Sequence, residues 1–401
     1  MRKILSISSI LLFSASFLLA QNVNTGGKEN LIFKGFISTT LFGQDQSFGF
    51  GNGQDAEWVT SNNTQNKWFY GGDIRNTRIT MVFNGPELKN DWALGGVLEF
   101  DAFNDYANEG AFGQQVPTPR VRLGYVDIKH KNLIVRIGQA WDPLFGNVPV
   151  SLSHIAFPLG YGAAGDVGWR FPGIFFYYKF ESQSSTHIGL DFAVMENSWA
   201  NAGGNTNFTT PGNAGSPQFE LRLNLESKLS GGGVFKAYVA GHYDQKKLGG
   251  IGANTTTNLT GTAEELGLSF SSHGFLIHGN LYSGKNVGQQ FGQLTQFSEA
   301  NHDLASTGFW AQIGYAFESG WGIYGFYGME NVNKDDAVAL QMPREKNALY
   351  DIMVKYGTGP LELGVEYLHD NLTNLIYGEA GAASEGTLKG TQIALSMLYK
   401  F

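Results

Sequence analysis

From Leu31 to the C-terminus the chain breaks into short segments in which apolar and polar side chains alternate. Sixteen can be marked out: 31–42, 74–84, 92–103, 119–128, 133–142, 169–179, 186–196, 217–227, 233–244, 262–271, 274–284, 306–317, 321–330, 347–357, 360–370 and 389–401. A period of two predicts strands with one apolar face. Their length, about 10 residues, is what a tilted strand needs to cross a bilayer. The connections alternate too. Short ones fall at 85–91, 129–132, 180–185, 228–232, 272–273, 318–320 and 358–359. Long polar ones fall at 43–73, 104–118, 143–168, 197–216, 245–261, 285–305, 331–346 and 371–388. An even strand count with short turns at one end and long loops at the other predicts an all-β fold: a transmembrane, antiparallel, up-and-down β-barrel.

The faces say which side meets lipid. In 217–227, Phe219, Leu221, Leu223 and Leu225 oppose Gln218, Glu220, Arg222, Asn224 and Glu226. In 360–370, Leu361, Leu363, Val365 and Tyr367 oppose Glu362, Gly364 and Glu366. Sixteen strands enclose a lumen too wide to fill with wall side chains alone, so the polar face is expected inside and the apolar face in lipid. Closure follows, because an open edge would strand backbone groups in hydrocarbon. In the last segment Ile393, Leu395, Met397, Tyr399 and Phe401 alternate to a terminal aromatic. That ending resembles the C-terminal signature by which the outer-membrane assembly machinery inserts barrels.

Composition narrows the classes further. Charged residues are 15% of the chain, below the roughly 25% of average proteins, and Gly is 54 of 401. Both suit a barrel whose strands show half their side chains to lipid. The absence of Cys excludes disulfides, thiolate nucleophiles, Cys-held metals and a lipidated N-terminal Cys. A net charge of −8 argues against a nucleic-acid partner. Residues 1–20 read as a secretory signal peptide: Met1-Arg2-Lys3, then an uncharged apolar run from Ile4 to Leu19, then Ala20. The mature domain is then 21–401.

Candidate chemistry lies in the polar face and one loop. The connection 143–168, between strands five and six, has no Asp, Glu, Lys or Arg from Asn147 to Gly165; His154 is the only group there that titrates near neutral pH. Its Pro, Gly and aromatic content suits a loop folded into the barrel as a constriction; an apolar contact between subunits is the other reading. A basic wall is expected opposite it, from Arg78, Arg120, Arg122 and Arg136, with Arg170 as a fifth member. A charge on the lipid face at mid-bilayer costs about 2–4 kcal/mol, so these should point inward. Alternation assigns Val121, Leu123 and Tyr125 to lipid, and turn 129–132 brings Arg122 near Gly138 and Arg120 near Ala140. Glu99 and Asp101 are expected inward, Glu99 within one register step of Arg78. The functional reading is a field across the constriction that favours anionic or zwitterionic solutes; the alternative is an Arg–Glu network that braces the wall. No cofactor or metal site is expected.

Three stretches resemble the outer-membrane porin superfamily: Asn76-Thr77-Arg78 with alternating apolars to Phe83; Leu98-Glu99-Phe100-Asp101 after Gly95-Gly96; and Pro119-Arg120-Val121-Arg122-Leu123-Gly124-Tyr125 leading to Ile137-Gly138-Gln139-Ala140-Trp141. The combination looks most like the DcaP-like, dicarboxylate-type porins of Gram-negative outer membranes. That resemblance implies a homotrimer of sixteen-stranded barrels passing small hydrophilic, often anionic, solutes by diffusion. It implies lipid and lipopolysaccharide as surroundings and the barrel assembly machinery as a partner. The N-terminal coiled coil of that group has no counterpart, since 21–30 holds no heptads. An enzyme is not expected: no His-Glu-x-x-His, Gly-x-Ser-x-Gly or P-loop is present. A structural or adhesive barrel acting through its loops, and a transporter of hydrophobic substrates, remain the alternatives.

Overall fold

The computed structural model describes residues 21–24, 30–60, 67–104, 117–196, 216–248, 257–298, 302–378 and 383–401. The segment 1–20, expected as a signal peptide, lies outside them. Sixteen strands form one closed antiparallel barrel: β1 Asn30–Gln44, β2 in two pieces (Phe69–Asp73 and Arg78–Glu87), β3 Ala93–Asn104, β4 Thr118–His130, β5 Leu133–Trp141, β6 Arg170–Lys179, β7 Thr186–Met195, β8 Gln218–Lys228, β9 Val234–Leu248, β10 Thr257–Ser272, β11 Phe275–Lys285, β12 Ala305–Ala316, β13 Trp321–Val332, β14 Arg344–Thr358, β15 Leu361–Tyr377 and β16 Ala383–Lys400. Each pairs with the next, and β16 closes on β1 from Phe36 opposite Lys400 to Gln44 opposite Gln392. The terminal Phe401 exchanges two backbone bonds of 3.0 Å with Gly35. A short strand, Gln21–Asn24, pairs with Asn30–Phe33 of β1.

Alternation places the faces as the sequence predicts. Ile393, Leu395, Met397 and Tyr399 of β16 are exposed, while Gln392, Ala394, Ser396 and Leu398 are buried. The same split separates Phe219, Leu221 and Leu223 from Gln218 and Glu220 on β8. A band of exposed aliphatic side chains around the whole wall is stable in hydrocarbon and would be a liability in water. The turn between β10 and β11 consists of His273 and Gly274, both with positive φ (48° and 84°), the geometry that lets a two-residue hairpin follow the strand twist.

Three expectations are corrected. First, β2 is interrupted at 74–77 and its upper piece starts at Phe69. Arg75 is turned back onto Asp73, with Nε donating to Oδ1 at 3.0 Å and Nη2 to Oδ2 at 2.8 Å. Second, the polar loops 245–261, 331–346 and 371–388 are partly strand, because β9, β10, β14, β15 and β16 run beyond the apolar alternation. A helix, α1 Lys334–Ala339, also forms there, capped by the Asn333 side chain on the Asp336 N–H. Third, β4 changes face. Glu99 pairs with Leu123 but Phe100 pairs with Val121, so Arg122 is an extra residue in a bulge. Val121 and Val126 are exposed and Leu123 is buried; Tyr125 stacks under the Arg136 guanidinium at 3.6 Å. Leu123 and Tyr125 therefore share the inward side with Arg120 and Arg122 instead of facing lipid. The β4–β5 register also differs: Gly138 lies opposite Tyr125 and Gln139 opposite Gly124, where regular pairing ends. Gly138 has φ +132° and a Cβ there would collide with the Gly124 carbonyl, so the close approach requires glycine. The Gln139 Nε2 donates to the Arg122 carbonyl at 2.8 Å in place of a ladder bond.

Apolar packing links distant connections. Phe48, Trp58 and Val59 of the hairpin Ser47–Phe50/Ala56–Thr60 share a buried cluster with Leu159, Ala163 and Ala164 of segment 143–168, with Leu294, and with Trp310, Phe326, Leu349, Leu368 and Leu372 of β12 to β15. A second cluster joins Phe103, Phe145, Phe157, Tyr161 and Phe291, with Tyr161 stacked on Phe291 at 4.1 Å.

Candidate solute-selecting site

Hairpins β2–β3 and β3–β4 set five charged side chains beside one another. Arg122 Nε donates to Glu99 Oε1 at 2.9 Å and its Nη1 to Asp101 Oδ2 at 2.8 Å. Arg120 holds Asp101 with both prongs, Nε–Oδ1 3.0 Å and Nη2–Oδ2 2.7 Å. Arg78 Nε lies 3.8 Å from Glu99, and its Nη2 donates to the Ile155 carbonyl at 3.2 Å. Thr80 donates to the other Glu99 oxygen at 2.9 Å. The bulge in β4 makes this possible, because it lets Arg122 reach both acids of β3. Three guanidiniums share two carboxylates, so the cluster keeps an excess positive charge.

Arg170, at the start of β6, stands beside it. Its guanidinium lies over Trp169 at 4.1 Å and over Trp141 at 4.9 Å, and Arg122 reaches the same Trp141 ring at 5.6 Å. Arg170 is 4% exposed, yet its Nε and Nη1 have no hydrogen-bond partner. Arg136 is not part of the group. It sits near the short turn at 131–132, bound to Asp127 at 2.8 and 3.1 Å and flanked by Tyr125 and Tyr177. His154 is buried; its Nε2 donates to the Ala56 carbonyl at 3.0 Å and its Nδ1 is 2.9 Å from Ser153 Oγ. Burial holds its pKa below the usual imidazole value, so it acts as a neutral stitch between two connections.

Segment 143–168 is bonded to many strands. Ser151, Leu152 and Ser153 deliver four hydrogen bonds of 2.6–2.9 Å to the Glu366 carboxylate of β15. The backbone of Val150 bonds the Gln312 amide of β12 in both directions, at 2.7 and 2.9 Å. Asn147 donates to the Leu268 and Gly279 carbonyls of β10 and β11. Leu144 N donates to Glu220 of β8 at 2.8 Å. Asn76 receives Ala156 N at 2.8 Å and donates to the Ser153 carbonyl at 2.7 Å. The side chains involved, Asn76, Glu220, Gln312 and Glu366, are all buried, on the wall face opposite the exposed band. Burial next to Glu220 raises the Asp142 carboxyl well above its ordinary range, and burial alone does the same for Asp166.

Sequence reasoning missed Arg75, Arg222, Glu196 and the anchoring role of Glu366. Arg222 had a signal, since alternation already put it on the polar face of β8. It pairs across the ladder with Asp191 at 2.9 Å and donates to the Pro143 and Phe145 carbonyls. A cavity of about 240 Å³ opens beside the cluster, lined by Arg120, Val121, Gln139, Trp169, Arg170, Phe171, Glu196 and Gln289. Burial pushes the Glu196 carboxyl up to about 7. Among the described residues no group of three His, Asp or Glu is placed to hold a metal ion.

A closed sixteen-stranded antiparallel barrel with an apolar outer band and inward charges is the architecture of the outer-membrane porins. Solved structures agree. The chain is similar to the outer membrane channel DcaP of Acinetobacter baumannii, with a TM-score of 0.69 and 16% identity over 94% of this chain and 99% of that one. It is also similar to OmpF of Salmonella typhi, solved with daunomycin, with a TM-score of 0.57, 13% identity and coverage of 95% and 100%. An anion-selective porin from Comamonas acidovorans matches with a TM-score of 0.55, 12% identity and coverage of 93% and 100%. No family model and no curated protein matches. The likeness is therefore one of fold, and at that level the DcaP-like resemblance holds.

Proposed function

We propose that the chain is a Gram-negative outer-membrane porin that passes small hydrophilic solutes by diffusion, favours anions and is narrowed by segment 143–168. The observation that carries this reading is the excess positive charge of the Arg78–Glu99–Asp101–Arg120–Arg122 group inside a lipid-banded barrel. Rings of inward Arg favour anions, and a planar guanidinium can grip both oxygens of a carboxylate. The bonds from 143–168 to β2, β8, β10, β11, β12 and β15 support an inward fold for that segment. The name of the Comamonas acidovorans relative supports anion preference. A role in catalysis is not part of this reading. Export through residues 1–20, insertion by the assembly machinery through the Phe401 end, a lipopolysaccharide environment and a homotrimer complete the proposal.

Planar-bilayer recording tests it. Purified protein should give stepwise conductance, and reversal potentials in a salt gradient should show anion preference. No steps would remove the channel reading; cation preference would remove the anion claim and leave the arginines as bracing. The trimer is tested separately, by a heat-sensitive oligomer band in detergent against a monodisperse monomer mass.

A further inference from the structure

One guanidinium at the long-loop end of the lumen is held in place and left without an acid. Among the described arginines, Arg75, Arg78, Arg120, Arg122, Arg136 and Arg222 each have a carboxylate within ion-pair reach, and the Nε and Nη1 of Arg170 are buried. Arg344, the first residue of β14, differs from all of them. No acid of the described chain lies within ion-pair reach of it. Its Nε donates to the Leu294 carbonyl at 3.0 Å. Its Nη1 and Nη2 form no hydrogen bond and neither is buried, so both prongs meet solvent. The surrounding chain fixes where that fork sits. The β14–β15 ladder slips at Glu345: Lys346 lies opposite Thr373 and Arg344 opposite Asn374. The slip takes Arg344 off the face of Lys346, which is exposed. The Gln296 side-chain amide clamps the Arg344 backbone, accepting from its N–H at 2.8 Å and donating to its carbonyl at 2.7 Å. The guanidinium carbon lies over the Trp58 ring at 4.5 Å, and Phe50 braces that ring edge-on at 5.2 Å. Trp58 and Leu294 belong to the buried cluster that includes Trp310 and Phe326 of the wall, which puts Arg344 on the lumen side. A cation–π contact orders a guanidinium without neutralising it.

We propose that Arg344, set on Trp58, is an oxyanion-docking site at the long-loop mouth, where Nη1 and Nη2 take a carboxylate or phosphate group before the solute meets the Arg78–Glu99–Asp101–Arg120–Arg122 group. The inner arginines have committed prongs to Glu99 and Asp101, whereas Arg344 offers two coplanar donors that are already ordered. Ordering before the solute arrives removes much of the entropy cost of holding a long side chain on it. Two parallel donors match two oxygens of a carboxylate or phosphate; chloride matches the charge but not the spacing. The site therefore separates oxyanions from halide, a finer choice than anion over cation. As a station on a diffusion path it rests on the anion-channel reading, but binding itself does not require conductance.

The experiment is NMR on the refolded full chain in detergent, labelled with ¹⁵N-arginine, with sodium acetate, phosphate and chloride as probes at matched ionic strength. The Nε–H signal absent from both Arg344→Gln and Arg344→Lys belongs to Arg344. It should shift saturably with acetate, with phosphate or with both, which separates the two sources, and chloride should bind about tenfold more weakly. No saturable shift with either oxyanion, or chloride binding as tightly, would overturn the proposal. Bilayer recording places the site on the path. Arg344→Gln should raise the half-saturating concentration of the bound oxyanion for conductance by about threefold or more, and Arg344→Lys, which keeps the charge and lacks the fork, should raise it less. The sign of the reversal potential should stay the same, because the inner group is untouched. The heat-modifiable folded band, unchanged in each variant, excludes misfolding; if Arg344→Gln does not fold, Arg344→Lys carries both arms. Unchanged half-saturation in a folded variant would also overturn the proposal. A saturable Arg344 shift in a protein without stepwise conductance, or with cation preference, would overturn the anion-channel reading alone.

Discussion

The wall formed by β2 to β6 and the wall formed by β13 to β15 use acidic residues in opposite ways. On the first, Glu99, Asp101 and Asp127 each meet an arginine. On the second, Glu366 gathers the N–H groups of Leu152 and Ser153 and the hydroxyls of Ser151 and Ser153. Asp370 takes Val59 N at 2.8 Å and the Asn347 amide at 2.7 Å. Glu330 takes Leu294 N at 3.0 Å and the Tyr282 hydroxyl. None of these three has a cationic partner closer than those donors. The first wall therefore pairs its acids with arginines and keeps an excess of positive charge. The second uses these carboxylates as acceptors for N–H groups of the connecting segments. Both patterns give buried acids hydrogen-bond partners, arginines on the first wall and mostly uncharged donors on the second.

The comparison breaks most visibly at Glu366. Glu366→Ala removes an acceptor shared by four donors, and hydrogen bonds to a charged group are worth about 1.5–3 kcal/mol each, with less than full additivity. We expect a loss on the order of 5 kcal/mol, read as a lower temperature for conversion of the folded band in detergent. Single-channel conductance should rise and become noisier as 151–153 loosens. Unchanged conductance and heat stability would show that this wall does not hold the segment.

Next in size is the paired replacement of Arg120 and Arg122 by Ala. It leaves Glu99 and Asp101 facing Arg78 alone, turning an excess of one guanidinium into an excess of one carboxylate. The reversal potential should cross toward cation permeation. Removing one member of a buried pair costs about 3–5 kcal/mol, so Arg122→Ala should also lower heat stability more than Arg120→Ala, whose side chain is the more exposed of the two. An unchanged reversal potential would make the arginines bracing only.

How much of this was legible follows from what alternation encodes. The sixteen strands and most of their outer faces were readable, because a period of two fixes side in a regular strand. The face switch at Arg122 and Leu123 was not, since a bulge inserts one residue without a composition signal. The extended ends of β14 to β16 were hidden for a related reason: strand that rises beyond lipid needs no apolar face. The role of Glu366 lay out of reach because its partners, two backbone N–H groups and two serine hydroxyls, lie more than 200 residues away in sequence, which no strand pattern announces. Arg170 was readable as a basic residue, but not as one without an acid.

Arg222→Ala sits between the two regimes. The residue neutralises Asp191 and also donates to the carbonyls of Pro143 and Phe145. It should produce a modest shift of reversal potential toward cations together with a modest rise in conductance noise. A shift in only one of the two readouts would assign Arg222 to one wall's pattern.

The smallest effect is expected at Arg136, and it is the sharpest control. Arg136 is as basic and as inward as Arg122, but it lies near the short turn, held by Asp127 and sandwiched by Tyr125 and Tyr177. Lys129, 3.8 Å from Asp127, is placed to take over part of its charge. Arg136→Gln should cost about 1 kcal/mol, within the range of partly exposed ion pairs and cation–π contacts, and should leave the reversal potential near that of the unaltered protein. If it instead shifts selectivity as far as the Arg120 and Arg122 replacements, the preference arises from the summed charge of the lumen, and the local excess beside β3 and β4 loses its special standing.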